Sequence, residues 1–266
     1  MILLALALGA LALGACEGTQ PDNADKNGPI DILDYLNKED KLYQDLVITS
    51  KAMGRQMTYS VWLPNGYDDT KKYPVLYLLH GYEQGDQSHL DRCWVEKGNA
   101  RQIAKDYVKE GGVQMIIVMP NGLSSFYQGA YETYLHTELI PYVENSFGGN
   151  GKRAIAGLSM GGYGTLYNAL KYPESFTYAY AMSPAANASM KAFIDAKEDK
   201  SVFPSFTIEV GNQDTTVDNN SSRELAEYMT ANKMKCEFIA RDGIHYWDFW
   251  QECLPKALNK VGESFK

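Results

Sequence analysis

The stretch Gly157-Leu158-Ser159-Met160-Gly161 sets one serine between two glycines, each two residues away. By composition alone such a pattern arises in about one chain in ten of this size, so its setting must decide its meaning. Here the strand-like "KRAIA" precedes it and a helix-like run over 160–171 follows. A strand, a sharp turn and a helix thrust the middle side chain outward, and backbone passes so close at the flanking positions that only glycine fits. Ser159 is therefore read as a nucleophile, against the plainer reading of a polar residue in a glycine-rich turn.

A serine hydroxyl is a weak nucleophile at neutral pH and needs a base, which in turn needs an orienting carboxylate. After a nucleophile elbow of this kind the partners follow in the chain order acid, then histidine. Of the four histidines, His80, His89 and His136 precede Ser159, which leaves His245 in "RDGIHYWDFW". Asp214, just past the strand-like "PSFTIEV", is read as the acid, with Asp218 as the alternative. Asp218 has a simpler explanation, because a carboxylate at a helix start is stabilised by the helix dipole. The tetrahedral oxyanion needs donors fixed in advance. The backbone N–H of Met160 is one, and that of Tyr82, after the strand-like "VLYLLH", is the second. His80 is read as shaping this loop without taking part in the chemistry.

The elements that must position these residues alternate. "QDLVITS", "QMTYSVWLP" and "YPVLYLLH" read as strands because they are rich in β-branched and aromatic residues. Then come a helix over 94–110, a strand in "VQMIIVMP", an amphipathic helix over 130–147, the strand and helix around Ser159, strands in "FTYAYAMS" and "PSFTIEV", a helix over 221–233 and a strand in "KCEFIA". Ser221 followed by Glu224 forms a capping-box pattern that puts a helix start near Ser221. Residues 184–204 read as an excursion contributing to a pocket wall. Strand and helix alternation predicts the α/β class, a mostly parallel sheet with helices on both faces. The strand ends where Ser159, Asp214 and His245 fall are where open α/β sheets place ligands.

In 266 residues, 25 Lys and Arg stand against 33 Asp and Glu, a net charge of −8. That balance makes nucleic acid a poor partner. The opening "MILLALALGALALGAC" is too short to span a bilayer comfortably but suits the core of an export signal. Its end, Leu13-Gly14-Ala15-Cys16, resembles the lipobox of bacterial lipoproteins, in which the cysteine carries the lipid. No Lys or Arg precedes the apolar run, which suggests a longer natural start. The expected organisation is a signal peptide over 1–15, a lipid-anchor tether over 16–38 and a catalytic domain over 39–266, with membrane contact through Cys16 on the periplasmic side or the cell surface. Cys93, Cys236 and Cys253 show no metal spacing and are read as buried thiols, with a Cys236–Cys253 bridge left open.

Taken in order, "YLLHGY", "MIIVMPNG", "ELIPYVENSF", "AIAGLSMGG", "GNQD" and "GIHYWDFW" closely resemble the feruloyl and acetyl-xylan esterases of the esterase D-like α/β hydrolases, over about residues 40–262. The resemblance implies an α/β-hydrolase fold, with Ser159 as nucleophile, Asp214 as acid, His245 as base, and Tyr82 and Met160 at the oxyanion positions. It places Trp94 and Trp250 at aromatic positions of the family. Trp94, Tyr127 and Trp247 are taken as substrate contacts, lining an aromatic mouth with Tyr82; for Trp247 and Trp250 packing of the last helix is the plainer role. The implied activity is hydrolysis of feruloyl or acetyl esters on plant polysaccharide such as xylan, without metal or organic cofactor. The same superfamily holds S-formylglutathione hydrolases and secreted mycolyltransferases, so an S-formylglutathione hydrolase or a generalist carboxylesterase is the alternative. From another class comes a non-catalytic surface protein that binds glycan.

Overall fold

The computed structural model describes residues 39–266; the signal, the tether and Cys16 lie outside the described residues. Eight strands form one sheet in the order β1-β2-β4-β3-β5-β6-β7-β8. β1 (Lys41–Ser50), β2 (Arg55–Leu63) and β4 (Ile116–Pro120) pair antiparallel in succession. β4, β3 (Tyr73–Leu79), β5 (Gly149–Leu158), β6 (Tyr178–Met182), β7 (Ser205–Gly211) and β8 (Cys236–Arg241) are all parallel. This is an α/β-hydrolase fold.

Every residue of β3, β4 and β6 is buried, as strands covered on both faces must be. Side chains alternate between two cores. Val75, Tyr77 and Leu79 join Leu166 and Leu170 of α5 (Met160–Lys171) and Leu225 and Met229 of α7 (Asn219–Ala231) on one face. Leu76 and Leu78 join Ala104 of α2 (Ala100–Lys109) and Leu254 and Leu258 of α8 (Trp247–Ser264) on the other.

The helices depart from the sequence reading at three places. The segment expected over 94–110 is divided into α1 (Cys93–Glu96) and α2, because Asn99 adopts a left-handed φ of 51°. Beside it, a Cβ on Gly98 would lie 2.7 Å from the Trp94 carbonyl oxygen. The helix over 130–147 is α3 (Ala130–Tyr134), a widened π turn over Leu135–Leu139 and α4 (Ile140–Phe147). Pro141 has no N–H to donate to the preceding turn, which disrupts the regular α-helical ladder. α7 starts ahead of the predicted Ser221, because Asp218 is its cap: the carboxylate accepts from the Asn220 N–H at 3.0 Å and the Ser221 hydroxyl at 2.7 Å. The excursion over 184–204 carries α6 (Lys191–Asp195), which buries Ile194 and packs Phe193 on Tyr167. Cys93, Cys236 and Cys253 are free thiols, so the alternative bridge is absent; burial pushes Cys93 up to about 11 and Cys236 up to about 12.

Beneath the ends of β7 and β8 lies a buried charge cluster. Glu209 of β7 is inaccessible to solvent and accepts from Tyr180 of β6, from Arg241 Nε of β8 at 2.5 Å and from Lys256 Nζ of α8 at 2.7 Å. Burial alone would raise the carboxyl's pKa; Lys256, Tyr180 and Arg241 together outweigh it and hold the group below its ordinary value. Removing one partner would strand buried charge, which costs more than the pair itself contributes. Arg241→Met, which leaves the buried Glu209 carboxylate short of a cation, should lower the unfolding free energy by about 3 kcal/mol in urea titration; an unchanged midpoint would show that strands β6 to β8 do not depend on this ion pair.

Candidate active site

Ser159 stands between the end of β5 and the start of α5 with φ 54° and ψ −116°, a conformation that L-residues seldom adopt. The surroundings enforce it. A Cβ at Gly157 would meet the Gly161 carbonyl oxygen at 2.5 Å, and one at Gly161 would meet that of His80 at 2.6 Å. The Ser159 N–H donates to the Met182 carbonyl at 2.9 Å, and its own carbonyl accepts from the Tyr163 N–H at 2.9 Å. The turn is thus tied to β6 on one side and to its own helix on the other.

From this position Ser159 Oγ lies 2.9 Å from His245 Nε2, and His245 Nδ1 lies 2.6 Å from Asp214 Oδ2. The other carboxylate oxygen, Oδ1, accepts from the Thr216 N–H at 2.9 Å and the Val217 N–H at 3.4 Å. With Nδ1–H donating to the carboxylate, Nε2 is left to accept the serine proton. Such a line can deprotonate the hydroxyl as it attacks a carbonyl carbon. Asp218 caps α7 instead.

The loops bearing Asp214 and His245 are stitched together. The Gln213 N–H donates to the Gly243 carbonyl at 3.0 Å, the Gly243 N–H donates to Gln213 Oε1 at 2.7 Å, and the Asn212 N–H donates to the Arg241 carbonyl at 2.7 Å. Gly243 has φ 149°, and any Cβ there would strike the Phe249 ring. The Trp250 ring stands edge-on to the His245 imidazole, centroids 4.9 Å apart and planes at 88°.

Met160 is the first residue of α5, so its N–H belongs to the helix-start donors that have no partner within the helix. The loop bearing Tyr82 passes beside the serine: a Cβ on Gly81 would sit 3.4 Å from Ser159 Cβ. His80 braces that loop from inside. Its Nδ1–H donates to the Gly81 carbonyl at 2.6 Å and its Nε2 accepts the Gly122 N–H at 2.7 Å, a pattern open only to the neutral ring.

Tyr127 and Trp94, expected as substrate contacts, are corrected by their surroundings. Tyr127 is wholly buried and donates to the His80 carbonyl at 2.9 Å; Trp94 is buried and donates to the Leu79 carbonyl at 2.9 Å. Both hold the β3 end from behind, out of reach of a ligand. Trp247, half-buried, packs edge-on between Trp94 and Trp250 and lines a cleft of about 590 Å³ beside His245. The exposed rim is made by Tyr82, Ile244 and Tyr246, which are 51%, 57% and 57% accessible. The sequence reading missed Ile244 and Tyr246, although two large apolar residues flanking the one histidine after the nucleophile were a visible signal.

A sheet of this order, with a serine on a strained turn at a parallel strand end and an imidazole in hydrogen-bond reach, defines the serine-hydrolase class within the α/β hydrolases. Residues 50–261 match the esterase family model described as "Putative esterase". The chain belongs to this family, and it is a serine esterase. It is 30% identical over 237 residues to an endo-1,4-beta-xylanase/feruloyl esterase of Xylanibacter ruminicola, covering 82% of this chain but spanning only 31% of that relative's length. An acetyl esterase of Caldicellulosiruptor saccharolyticus is 25% identical, with 73% of this chain and 86% of that protein covered. A solved ferulic acid esterase superposes with a TM-score of 0.77 at 29% identity, covering 86% of this chain and 99% of the other.

Burial depresses the His80 imidazole to about 4, from 6.5 in a free chain. The unfolded chain therefore binds the proton first. His80's contribution to stability is complete above pH 6.5 and is lost as pH falls from 6.5 towards 4, about 3 kcal/mol in all. Histidine NMR should show the His80 ring neutral at pH 5; a titration near 6.5 would overturn this account of the loop.

Proposed function

We propose that Ser159, His245 and Asp214 form the catalytic triad and that the chain removes feruloyl or acetyl groups from plant polysaccharide or its oligosaccharides. The observation that carries the chemistry is the line of two hydrogen bonds, 2.9 Å and 2.6 Å, ending on a serine in a strained turn. His245 Nε2 takes the hydroxyl proton as Oγ attacks the ester carbonyl, and the oxyanion is met by the N–H groups of Tyr82 and Met160. Collapse forms the acyl-enzyme and releases the alcohol, protonated by His245. Water, activated by the same imidazole, then frees the acid. Asp214 holds the tautomer throughout. These steps draw on side chains and backbone dipoles alone.

The substrate reading is supported by the relatives, which include a xylanase/feruloyl esterase, an acetyl esterase and a ferulic acid esterase. It is supported also by the exposed aromatic rim at Tyr82 and Tyr246, since ring faces suit phenolic and sugar ligands.

Ser159→Ala should cost about a million-fold in turnover while the fold persists, and Asp214→Asn about ten-thousand-fold through the wrong tautomer. Asp218→Asn should leave kcat close to wild type. Turnover of methyl ferulate and acetylated xylan measures all three; if Asp218→Asn proved the damaging change, the acid would be misassigned.

Export with a lipid on Cys16, which would hold the domain at a membrane by the tether, is part of the same reading. Its support is the sequence "LGAC" after an apolar run. One acyl chain binds a membrane only marginally, and stable anchoring takes more than one. Full-length protein expressed in a bacterium should sediment with membranes, and Cys16→Ser should release it; a mature N-terminus beyond residue 16 by mass spectrometry would end this reading.

A further inference from the structure

Apart from His245 itself, the walls of the cleft beside the imidazole have no part in the steps above. It opens between the loop after β3 and the start of α8, with Tyr246, Trp247, Glu83, Lys97 and Asp248 among its walls.

Its position bears on which half of an ester it meets. His245 is itself part of the wall. When the acyl-enzyme forms, the ester C–O bond breaks, its electron pair passes to the departing oxygen, and the imidazolium N–H at Nε2 supplies the proton. The departing oxygen must therefore lie on the imidazole side of Ser159. His245 is the residue that the serine line and the cleft share.

The surface bears on what the alcohol is. Tyr246 is 57% exposed at the rim with Trp247 half-buried below it, and such amphipathic rings suit the C–H face of a sugar. Lys97 Nζ and Glu83 Oε1 lie 2.7 Å apart on the opposite side, both partly exposed. A donor and an acceptor side by side match the adjacent hydroxyls of a sugar ring. Two carboxylates, Glu83 and Asp248, stand against the single Lys97 ammonium on these walls. The resulting negative field disfavours an anionic leaving group such as glutathione and leaves a neutral one unaffected.

We propose that this cleft is the leaving-group site and that it holds a neutral sugar, with Tyr246 and Trp247 supplying ring surface and the Lys97–Glu83 pair engaging hydroxyls. The assignment rests on the acyl-transfer reading of Ser159 and deepens it, by naming the half of the ester that the His245 side recognises.

The test compares two esters with the same acyl group, methyl ferulate and the feruloyl ester of a xylo-oligosaccharide, in wild type, Tyr246→Ala and Lys97→Met. Both variants change exposed side chains, and melting curves check their folding. In wild type kcat/KM is expected to be higher for the sugar ester. The ratio of sugar ester to methyl ester should fall about tenfold in each variant, the loss of one ring contact or one charged hydrogen bond. A wild-type preference that neither variant alters would overturn the cleft assignment alone. Turnover of both esters with no preference for the sugar would overturn the sugar-ester reading and the cleft with it, while leaving the Ser159 chemistry standing. The same comparison is run with methyl acetate and an acetylated xylo-oligosaccharide, and absence of turnover on all four esters would remove the acyl-transfer reading itself.

Discussion

The close passage of three pieces of backbone governs this structure: the end of β5, the first turn of α5 and the end of β3. They meet where Gly157 and Gly161 have no room for a side chain. That crowding holds Ser159 at φ 54°, a conformation costing on the order of 1–3 kcal/mol that a freer chain would relax. The hydrogen bond from the Ser159 N–H to Met182 on β6 opposes the same relaxation. Because the turn is locked from two sides, the hydroxyl stays within 2.9 Å of His245 Nε2, with Met160 at the helix start beside it. The β3 end, kept in place by Tyr127, Trp94 and the neutral His80, runs beside the serine. Several residues that look like chemistry in the sequence are therefore scaffolding for one turn.

The histidine side is built on a different device. His245 and Asp214 come from loops after neighbouring parallel strands, and loops of this kind would be free to drift apart. The backbone bonds from Asn212 to Arg241 and from Gln213 to Gly243 carry the pairing of β7 and β8 beyond the strands, and the Gln213 side chain accepts the Gly243 N–H. Below them, Glu209 ties β6, β7, β8 and α8 through Tyr180, Arg241 and Lys256. A hydrogen-bonded line of 2.9 Å and 2.6 Å tolerates little displacement. Stiffness under the loops is the physical condition for keeping it.

What was legible in the sequence follows from these causes. Ser159 could be found because a strained turn imposes its own residue types at fixed spacing, and His245 because chain order removed every other histidine. The sheet and its parallel core were legible from strand and helix alternation. The cap of α7 was not, because Ser221 and Asp218 both satisfy a local pattern and only geometry shows which reaches the first N–H groups. Trp94 and Tyr127 were misplaced for a related reason: aromatic character does not tell whether a ring faces solvent or closes over a backbone carbonyl. The break at Asn99 depends in part on a neighbour distant in the chain, Trp247 against Gly98, whereas the π turn before Pro141 has a local cause that the helical periodicity of 130–147 conceals.

In the proposed mechanism, chemistry and recognition are therefore borne by different kinds of structure. The line from Ser159 to Asp214 is held mostly by backbone hydrogen bonds and by glycines that admit no substitute, so disturbance there spreads into the fold. The mouth is made of exposed side chains, Tyr82, Ile244 and Tyr246, standing on that frame with little beneath them to disturb. A ring on this rim can change its size or polarity without moving His245, because the imidazole takes its position from Asp214, Gln213 and Trp250 rather than from its exposed neighbours. Family membership consequently says more about the reaction than about the ester, and the difference between one substrate and another must be sought in the few side chains that reach solvent around the serine.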